Sequence, residues 1–421
     1  MVNQIFTRIL KHPVTQNALS LFTVQIARYI LPLITIPYLA RVLGPDNWGL
    51  VIFSQASAHS LVVILDYGFN FSATREIARH QDNPEKIPEI VAGVIGALSL
   101  LIVGSGLVVS SMYLTIPIFK THPDYLIWAW LIAIAQGTAP IWYFLGNERM
   151  QIPATVDLIT CTFASMSNFI LIKTPDEGWK VLAAQAIAGL FAAGVMLIRM
   201  YSEISWRVPS IGSAFTALRM GWSMFFFQGS VSLYTTANTL ILGMIVPASE
   251  VAFYGAAERI SKTGVSFLLP ITQTMFPRIS NLLANDLKKA ARFARLSLLF
   301  MGIGSSILAL TLAMLAPIIV HILLGEKFEA VIPLLRVMLI LTPLLALSNV
   351  LGVQWMLPLG LDRHFNIINI SAGLINLILA LFLSHRFGSM GMVWTVILSQ
   401  VFAVTTMYIV LLLKDLSFLR L

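Results

Sequence analysis

Charge is scarce in this chain. Asp, Glu, Lys and Arg make up 11% of its 421 residues, where a soluble domain carries about 25%, so water cannot solvate most of its surface. Cysteine is scarcer still. Cys161 stands alone, which excludes a disulfide framework and a cysteine metal site. The histidines are scattered, no HExxH or CxxC occurs, and no pair of acids recurs on an exposed loop, so no enzyme signature is present. No cleavable signal sequence is evident: the first apolar stretch, 18–40, is too long for a signal core and suits a spanning helix.

What fills the chain is hydrocarbon. Hydrophobic residues reach 57% and the mean hydropathy is +0.84. A spanning helix needs roughly 20 mostly apolar residues, and reading for such runs predicts about twelve. Six cover 18–40, 48–70, 88–112, 124–145, 153–173 and 179–200; six more cover 220–246, 251–276, 294–320, 331–357, 365–384 and 389–413. The short connections leave no room for a soluble catalytic domain. The fold class expected is an all-α integral membrane protein with about 12 transmembrane helices in two six-helix pseudo-symmetric lobes. Residues 1–200 form the first lobe, 201–219 a cytoplasmic linker, and 220–421 the second lobe.

An internal repeat supports the two lobes. With an offset of 202, Pro45 falls on Pro247, and KIPEIVAGVIGALSLL (86–101) falls on KKAARFARLSLLFMGI (288–303). With an offset of 214, GNER (146–149) falls on GLDR (360–363). Paired lobes of transporters commonly hold a substrate site between them, reached alternately from either face.

The basic residues set orientation. Of 27 Lys and Arg, 17 fall on the side of the N-terminus and 6 on the other, with Arg28, Arg259, Lys262 and Arg336 inside helices. Both termini are thereby expected in the cytoplasm. The net charge of +8 is a topology signal spread over many loops, so nucleic acid is not an expected partner.

Polar residues within the spans are the candidate site. A charge at mid-bilayer costs from about 2.5–3.5 to roughly 10–17 kcal/mol, depending on method. Arg28 lies near the centre of the first helix, sharing a face with Gln25, Pro32 and Thr35; snorkelling or structural pairing is the plainer alternative to a wet cavity. Gln55, His59 and Asp66 form a stripe on the second helix, where His59 or Asp66 could exchange a proton. Asp66 could equally cap the helix or pair with Arg28 or Arg75. GAAERISKT (255–263) carries Glu258, Arg259 and Lys262; Glu258–Lys262 suits an intrahelical ion pair, and the Ser-Lys-Thr ending lacks the glycine spacing of a phosphate loop. Gln228, Ser232, Thr235 and Thr239 share a face of the seventh helix, and Asn369 and Asn376 lie seven apart on the eleventh. Such groups line a lumen or join helices by hydrogen bonds.

Four blocks carry a resemblance: PYLARVLGPDNWGL (37–50), LDYGFNFSATREIAR (65–79), FYGAAERI (253–260) and LLPITQTMFPRIS (268–280). Together they resemble Wzx-type polysaccharide flippases, the polysaccharide transporter branch of the multidrug/oligosaccharidyl-lipid/polysaccharide (MOP) exporters, over nearly the whole chain. The resemblance implies a MATE-like two-lobe fold in the bacterial inner membrane. It implies a flippase that carries undecaprenyl-diphosphate-linked oligosaccharide to the periplasmic leaflet for O-antigen, capsule or exopolysaccharide. Arg28, Arg259 and Lys262 would then contact diphosphate or acidic sugar, with Glu258 tuning them. Gln25, Gln55, Gln228, Thr235 and Asn369 would line the cavity. Asp66 and His59 would couple transport to a proton or sodium gradient. No cofactor and no metal are expected; the expected partners are the lipid-linked oligosaccharide, membrane lipids and the glycan polymerase machinery. The competing readings are a multidrug or lipid II exporter of the same superfamily, a membrane glycan polymerase or ligase, and a structural partner of the assembly machinery.

Overall fold

A computed structural model describes residues 13–81, 83, 85–235, 237–266 and 269–418; within them the side chains of 13–30, 32, 33, 227, 230, 231, 233–235, 266, 269–271, 273, 274 and 284 are not described. The described residues form helices and their connections, without strands. Eight segments among them are long and apolar enough to cross a membrane. Several hold more than one predicted run. Helix α1 (Pro13–Asp66) contains the first two, divided at Gly44, where φ is 71°. The last helix, Asp362–Leu413, contains the final two, divided at Gly388 with φ 58°. That break is fixed from outside: Glu250 Oε2 accepts the Ser389 N–H at 2.8 Å, and any side chain at 388 would collide with the Glu250 carboxylate.

The chain divides into two compact units, Met1–Ser232 and Leu233–Leu421. In the first, α1 is followed by α2 (Phe69–Arg79), α3 (Lys86–Thr115), α4 (Pro117–Thr121), α5 (Pro123–Thr138), α6 (Ile141–Gly146), α7 (Gln151–Leu171), α8 (Trp179–Tyr201) and most of α9 (Ile211–Thr235). Its core gathers Phe69, Ile77, Val94, Trp142, Phe144, Met196 and Met200, with Ala214 and Ala217 from α9. The expected linker, 201–219, therefore falls inside this unit, and the division lies at 232/233 instead of 200/220. Small residues are the reason: a Cβ on Gly93 would sit 3.0 Å from the Ser213 carbonyl, and one on Gly96 3.1 Å from Pro209 Cβ, so α3 and α9 meet closely. Lipid tails are as apolar as leucine, so close packing of this kind, more than exclusion of water, joins spanning helices.

The second unit holds α10 (Ala237–Ile245), α11 (Ala248–Ser266), α12 (Leu269–Asn285), α13 (Leu287–Leu323), α14 (Val331–Met338), α15 (Leu341–Ser348), a π-helical stretch (Asn349–Met356) and α16 (Asp362–Leu413). Its core gathers Ile279, Met301, Val350, Trp355, Met407, Leu411 and Phe418. The apolar face of α13 is outward: Leu299, Phe300, Ile303, Ile307, Leu310, Met314, Ile318 and Ile322 are all exposed, as hydrocarbon solvation requires.

The repeat is visible as repeated backbone geometry. Asn147 N–H donates to Tyr143 O, Glu148 to Leu145 and Arg149 to Phe144; Leu359 donates to Trp355, Gly360 to Leu357 and Leu361 to Met356. Glu148 and Gly360 both take positive φ, 56° and 72°. The offset is thus 212 (147 to 359), not the 214 that aligning GNER with GLDR gives. The same offset joins the ends of α8 and the last helix, where Ser202 donates to Ile198 and Lys414 to Val410. Earlier in each unit the offset is 200: α1 ends at Asp66 and α2 begins at Phe69, while α11 ends at Ser266 and α12 begins at Leu269. Phe53 accordingly packs on Phe119, and Phe253 on Phe328.

Candidate functional site

The best-defined polar cluster lies at the break after α1. Tyr67 and Gly68 take positive φ, 45° and 75°, which turns the chain before α2. A Cβ on Gly68 would overlap Met224, and one on Gly221 would approach the Tyr67 carbonyl at 2.7 Å. Tyr67 stacks on Phe225 with ring centroids 4.7 Å apart. Into this close joint points Asp66. Its carboxylate accepts the Asn70 side-chain amide, and it is hydrogen-bonded by Gln228 and by the backbone N–H groups of Gly68 and Asn70. These bonds hold the turn between α1 and α2, whose N-cap is Gly68 with no side-chain cap bond. A carboxylate offers about four lone-pair sites, enough for all four donors. Asp66 and Gln228, seen separately in the sequence, are thus brought together.

Gln55 donates from Nε2 to Gln185 Oε1 at 3.1 Å, joining α1 to α8 in the middle of the unit. His59, one turn on, is exposed on α1. The side chains of Gln25, Arg28 and Thr235 lie outside the described residues.

In the second unit Lys262 Nζ lies 3.0 Å from Glu258 Oε1, so the intrahelical ion pair is formed. Lys262 is nevertheless 62% exposed. Arg259 is half-buried and interacts electrostatically with Glu258. One carboxylate against two cations leaves this stretch of α11 with a net positive charge. With the offset of 200, Arg259 occupies in its unit the place His59 holds in the first. Asn369 does not join this group: its Nδ2 donates to Phe365 O at 2.8 Å within its own helix. Among the described residues no three His, Cys, Asp or Glu side chains cluster as metal ligands.

Two polar features escape the sequence inventory. Asp157 is half-buried on α7, on a face it shares with the buried Asn168; its carboxylate within an apolar run is the signal that could have found it. The other is a buried network on the π-helical stretch. Ser297 Oγ donates to Gln354 Oε1 at 2.6 Å, Gln354 Nε2 to Asn349 Oδ1 at 3.3 Å, and Thr272 Oγ1 to Asn349 Oδ1 at 3.0 Å.

Spanning helices in two units, with repeated geometry and charged side chains retained within the spans, define a membrane transporter fold. Solved structures agree on that fold. "Lipid II flippase MurJ, inward closed conformation" is similar with a TM-score of 0.69 and 13% identity, covering 95% of this chain and 89% of that one. A multidrug resistance MATE family transporter of the MOP superfamily, in its inward-facing conformation, gives a TM-score of 0.62 and 16% identity over 93% and 96% of the two chains. Residues 14–283 match the polysaccharide biosynthesis protein family, to which this chain belongs. Its relative named "Putative O-antigen transporter" from Escherichia coli (strain K12) is 31% identical over 390 residues, 91% of this chain and 93% of that protein.

Proposed function

We propose that the protein is a flippase. It moves an undecaprenyl-diphosphate-linked oligosaccharide from the cytoplasmic to the periplasmic leaflet of the bacterial inner membrane, for surface polysaccharide synthesis. The carrying observation is the likeness to a relative named as an O-antigen transporter along nine-tenths of both chains. The chemistry of the spans agrees. A glycan brings many hydroxyls and the diphosphate brings charge, each costly to expose to hydrocarbon. Polar residues exposed alternately to the two faces of the membrane would shelter the sugar while the polyprenyl tail stays in lipid.

Within this reading Arg28, Arg259 and Lys262 attract the diphosphate or an acidic sugar, and Glu258 limits that attraction. Gln25, Gln55, Gln228, Thr235 and Asn369 offer hydrogen bonds to the glycan. Asp66 and His59 couple transport to a proton or sodium gradient. Both termini face the cytoplasm, supported by the excess of basic residues on that side. Translocation makes and breaks no covalent bond, so the protein is read as a transporter and not an enzyme, handing its cargo to the polymerase machinery.

The test is deletion of the gene followed by lipid extraction. A complete lipid-linked repeat unit should accumulate on the inner leaflet and surface polysaccharide should fall. Normal surface polysaccharide in a strain without a redundant transporter overturns the reading. Raised dye sensitivity with an intact glycan would transfer it to drug export.

A further inference from the structure

Between α8 and α9 the chain runs without regular structure over 205–210. Both ends of this stretch are pinned. Ser202 Oγ donates to Arg199 O at 2.7 Å; at the far end Pro209 lies against Gly96, and Ser210 caps α9 by accepting the Ser213 N–H at 3.0 Å. Between these anchors two large apolar side chains are turned outward: Trp206 is 62% and Val208 80% exposed. Ile211, Phe215, Trp222 and Phe226 continue the exposed apolar surface along one face of α9. An aqueous loop of this composition would be unfavourable by the ordinary transfer energy of its side chains.

Beside this apolar edge stands a fixed cationic one. Arg149 Nη1 and Arg199 Nη2 both lie on Glu203 Oε1, at 3.1 and 3.3 Å. Tyr143 OH holds the other oxygen, Oε2, at 2.9 Å. Arg149 and Arg199 are each more than half exposed, so their remaining donors face outward. Arg207, also exposed, lies within the segment itself. Three guanidinium groups against the one Glu203 carboxylate leave a double positive charge beside an exposed Trp.

We infer that residues 201–211, with Arg149 and Arg199, form a binding surface for anionic phospholipid headgroups. The segment lies flat in the headgroup layer. Trp206 sits at the interface, as its amphipathic ring favours, and Val208 reaches the upper acyl chains. The guanidinium forks meet headgroup phosphates, a geometry that planar donors match in pairs. The connection between α8 and α9 is then a membrane-bound element and not a free loop. Nothing in this inference depends on the cargo, so it stands or falls apart from the transport reading.

The experiment places a nitroxide at 208 (Val208→Cys) and, as an aqueous reference, at 83 (Asn83→Cys), both in a Cys161→Ser background. The full chain is held in nanodiscs of phosphatidylcholine with or without phosphatidylglycerol. Collision with oxygen is compared with collision with a water-soluble nickel chelate, and association of spin-labelled phosphatidylglycerol is measured against phosphatidylcholine. Position 208 should be oxygen-accessible and nickel-shielded. Phosphatidylglycerol should be preferred, and Arg207→Gln should lower that preference roughly fivefold. The triple R149Q/R199Q/R207Q variant should abolish it while position 208 stays nickel-shielded. Nickel access at 208 equal to that at 83 makes the segment an aqueous loop. Shielding from both probes means that protein covers it. An unchanged lipid preference in the triple variant removes the role of the arginines. Each of these results overturns the inference.

Discussion

Gln354 donates its side-chain amide to the Asn349 oxygen five residues back along the chain, at 3.3 Å. On an α-helix two residues five apart point in directions about 140° apart. The widened π turn of 349–356 brings them to one face, and this irregularity is common at functional positions. Through Ser297 and Thr272 the pair ties α13 and α12 to the stretch. Gln354 is fully buried, so Gln354→Ala leaves the Ser297 hydroxyl without its acceptor, while Asn349 keeps the bond from Thr272. The expected loss is about 1–3 kcal/mol for each buried group left unsatisfied. A fall of several degrees in the melting temperature of the purified protein checks this, and an unchanged value rejects the network as a stabilising element.

The joint after α1 makes a graded prediction. Gly68→Ala combines a positive φ with a collision against Met224, and should abolish accumulation of folded protein. Asp66→Ala loses the acceptor for Gly68, Asn70 and Gln228; it should cost about 1–3 kcal/mol, as buried donors left without a partner do. Asp66→Asn keeps a side-chain oxygen for the backbone donors and should stay close to wild type in stability. Equal destabilisation by the Ala and Asn variants would show that the carboxylate charge, and not a neutral acceptor oxygen, holds the joint.

Charge on α11 is the next handle. Lys262 is mostly exposed and its i,i+4 pair with Glu258 is worth about 0.3–0.5 kcal/mol, so neither Lys262→Ala nor Glu258→Gln should unfold the protein. Transport should respond in opposite directions. Lys262→Ala should weaken apparent substrate affinity by roughly tenfold, in line with about 1.5–3 kcal/mol for hydrogen bonds to charged groups. Glu258→Gln should tighten affinity and slow release. Arg28→Ala should reduce export at normal protein level. Measured in proteoliposomes, unchanged transport in all three would reject the cationic reading.

Hydropathy carried the sequence reading of the fold. Gly44 and Gly388 stand between runs that were read as separate helices, and the chain kinks at both. The repeat was legible only in outline, because helix ends match in hydrogen bonding more closely than in residue type: Glu148 and Gly360 share a conformation without sharing chemistry. The packing of 211–219 on the first unit was hidden because Arg219 breaks the hydropathy there, while Gly93 and Gly96, which let this stretch pack closely, lie far away in the chain. For the site, the polar stripes named Asp66 and Gln228 separately, and the structure brings them together. Asn349 and Gln354 were invisible to a period of 3.6, which sets them on different faces, and the bond of Asn369 to the Phe365 carbonyl of its own helix has no mark in the sequence.

Outside the spans, Asp286 makes a pH prediction. It starts α13 by accepting the Lys289 N–H at 3.1 Å. That bond, and the Lys289 ammonium after it, hold its carboxyl below the usual carboxylate range. A depressed folded value means that the contribution is complete above the unfolded carboxylate value, near pH 4, and is lost as the pH falls through the lower folded value. At neutral pH, Asp286→Ala should speed amide exchange at 287–290 with no change deeper in α13. Wild-type protein should show the same fraying only on acidification below about pH 4, whereas uniform exchange at every pH would remove the cap.

Asp66 and His59 separate coupling from structure. A residue that carries the driving proton can be removed while the cargo still exchanges across the membrane; only the response to a gradient is lost. Loss of a residue that merely holds the fold lowers both. Reconstituted protein should therefore be assayed twice, for substrate exchange at equilibrium and for accumulation driven by an imposed pH gradient. Asp66→Asn leaves the backbone donors of Gly68 and Asn70 an acceptor, so exchange should persist within about twofold, a few tenths of a kcal/mol, while gradient-driven accumulation falls to background. His59→Asn, at an exposed position on α1, removes no packing from the core and should also leave exchange intact. If both variants accumulate substrate as wild type does, neither residue moves the proton. Asp66 is then the keystone of a joint between α1 and α9 and nothing more.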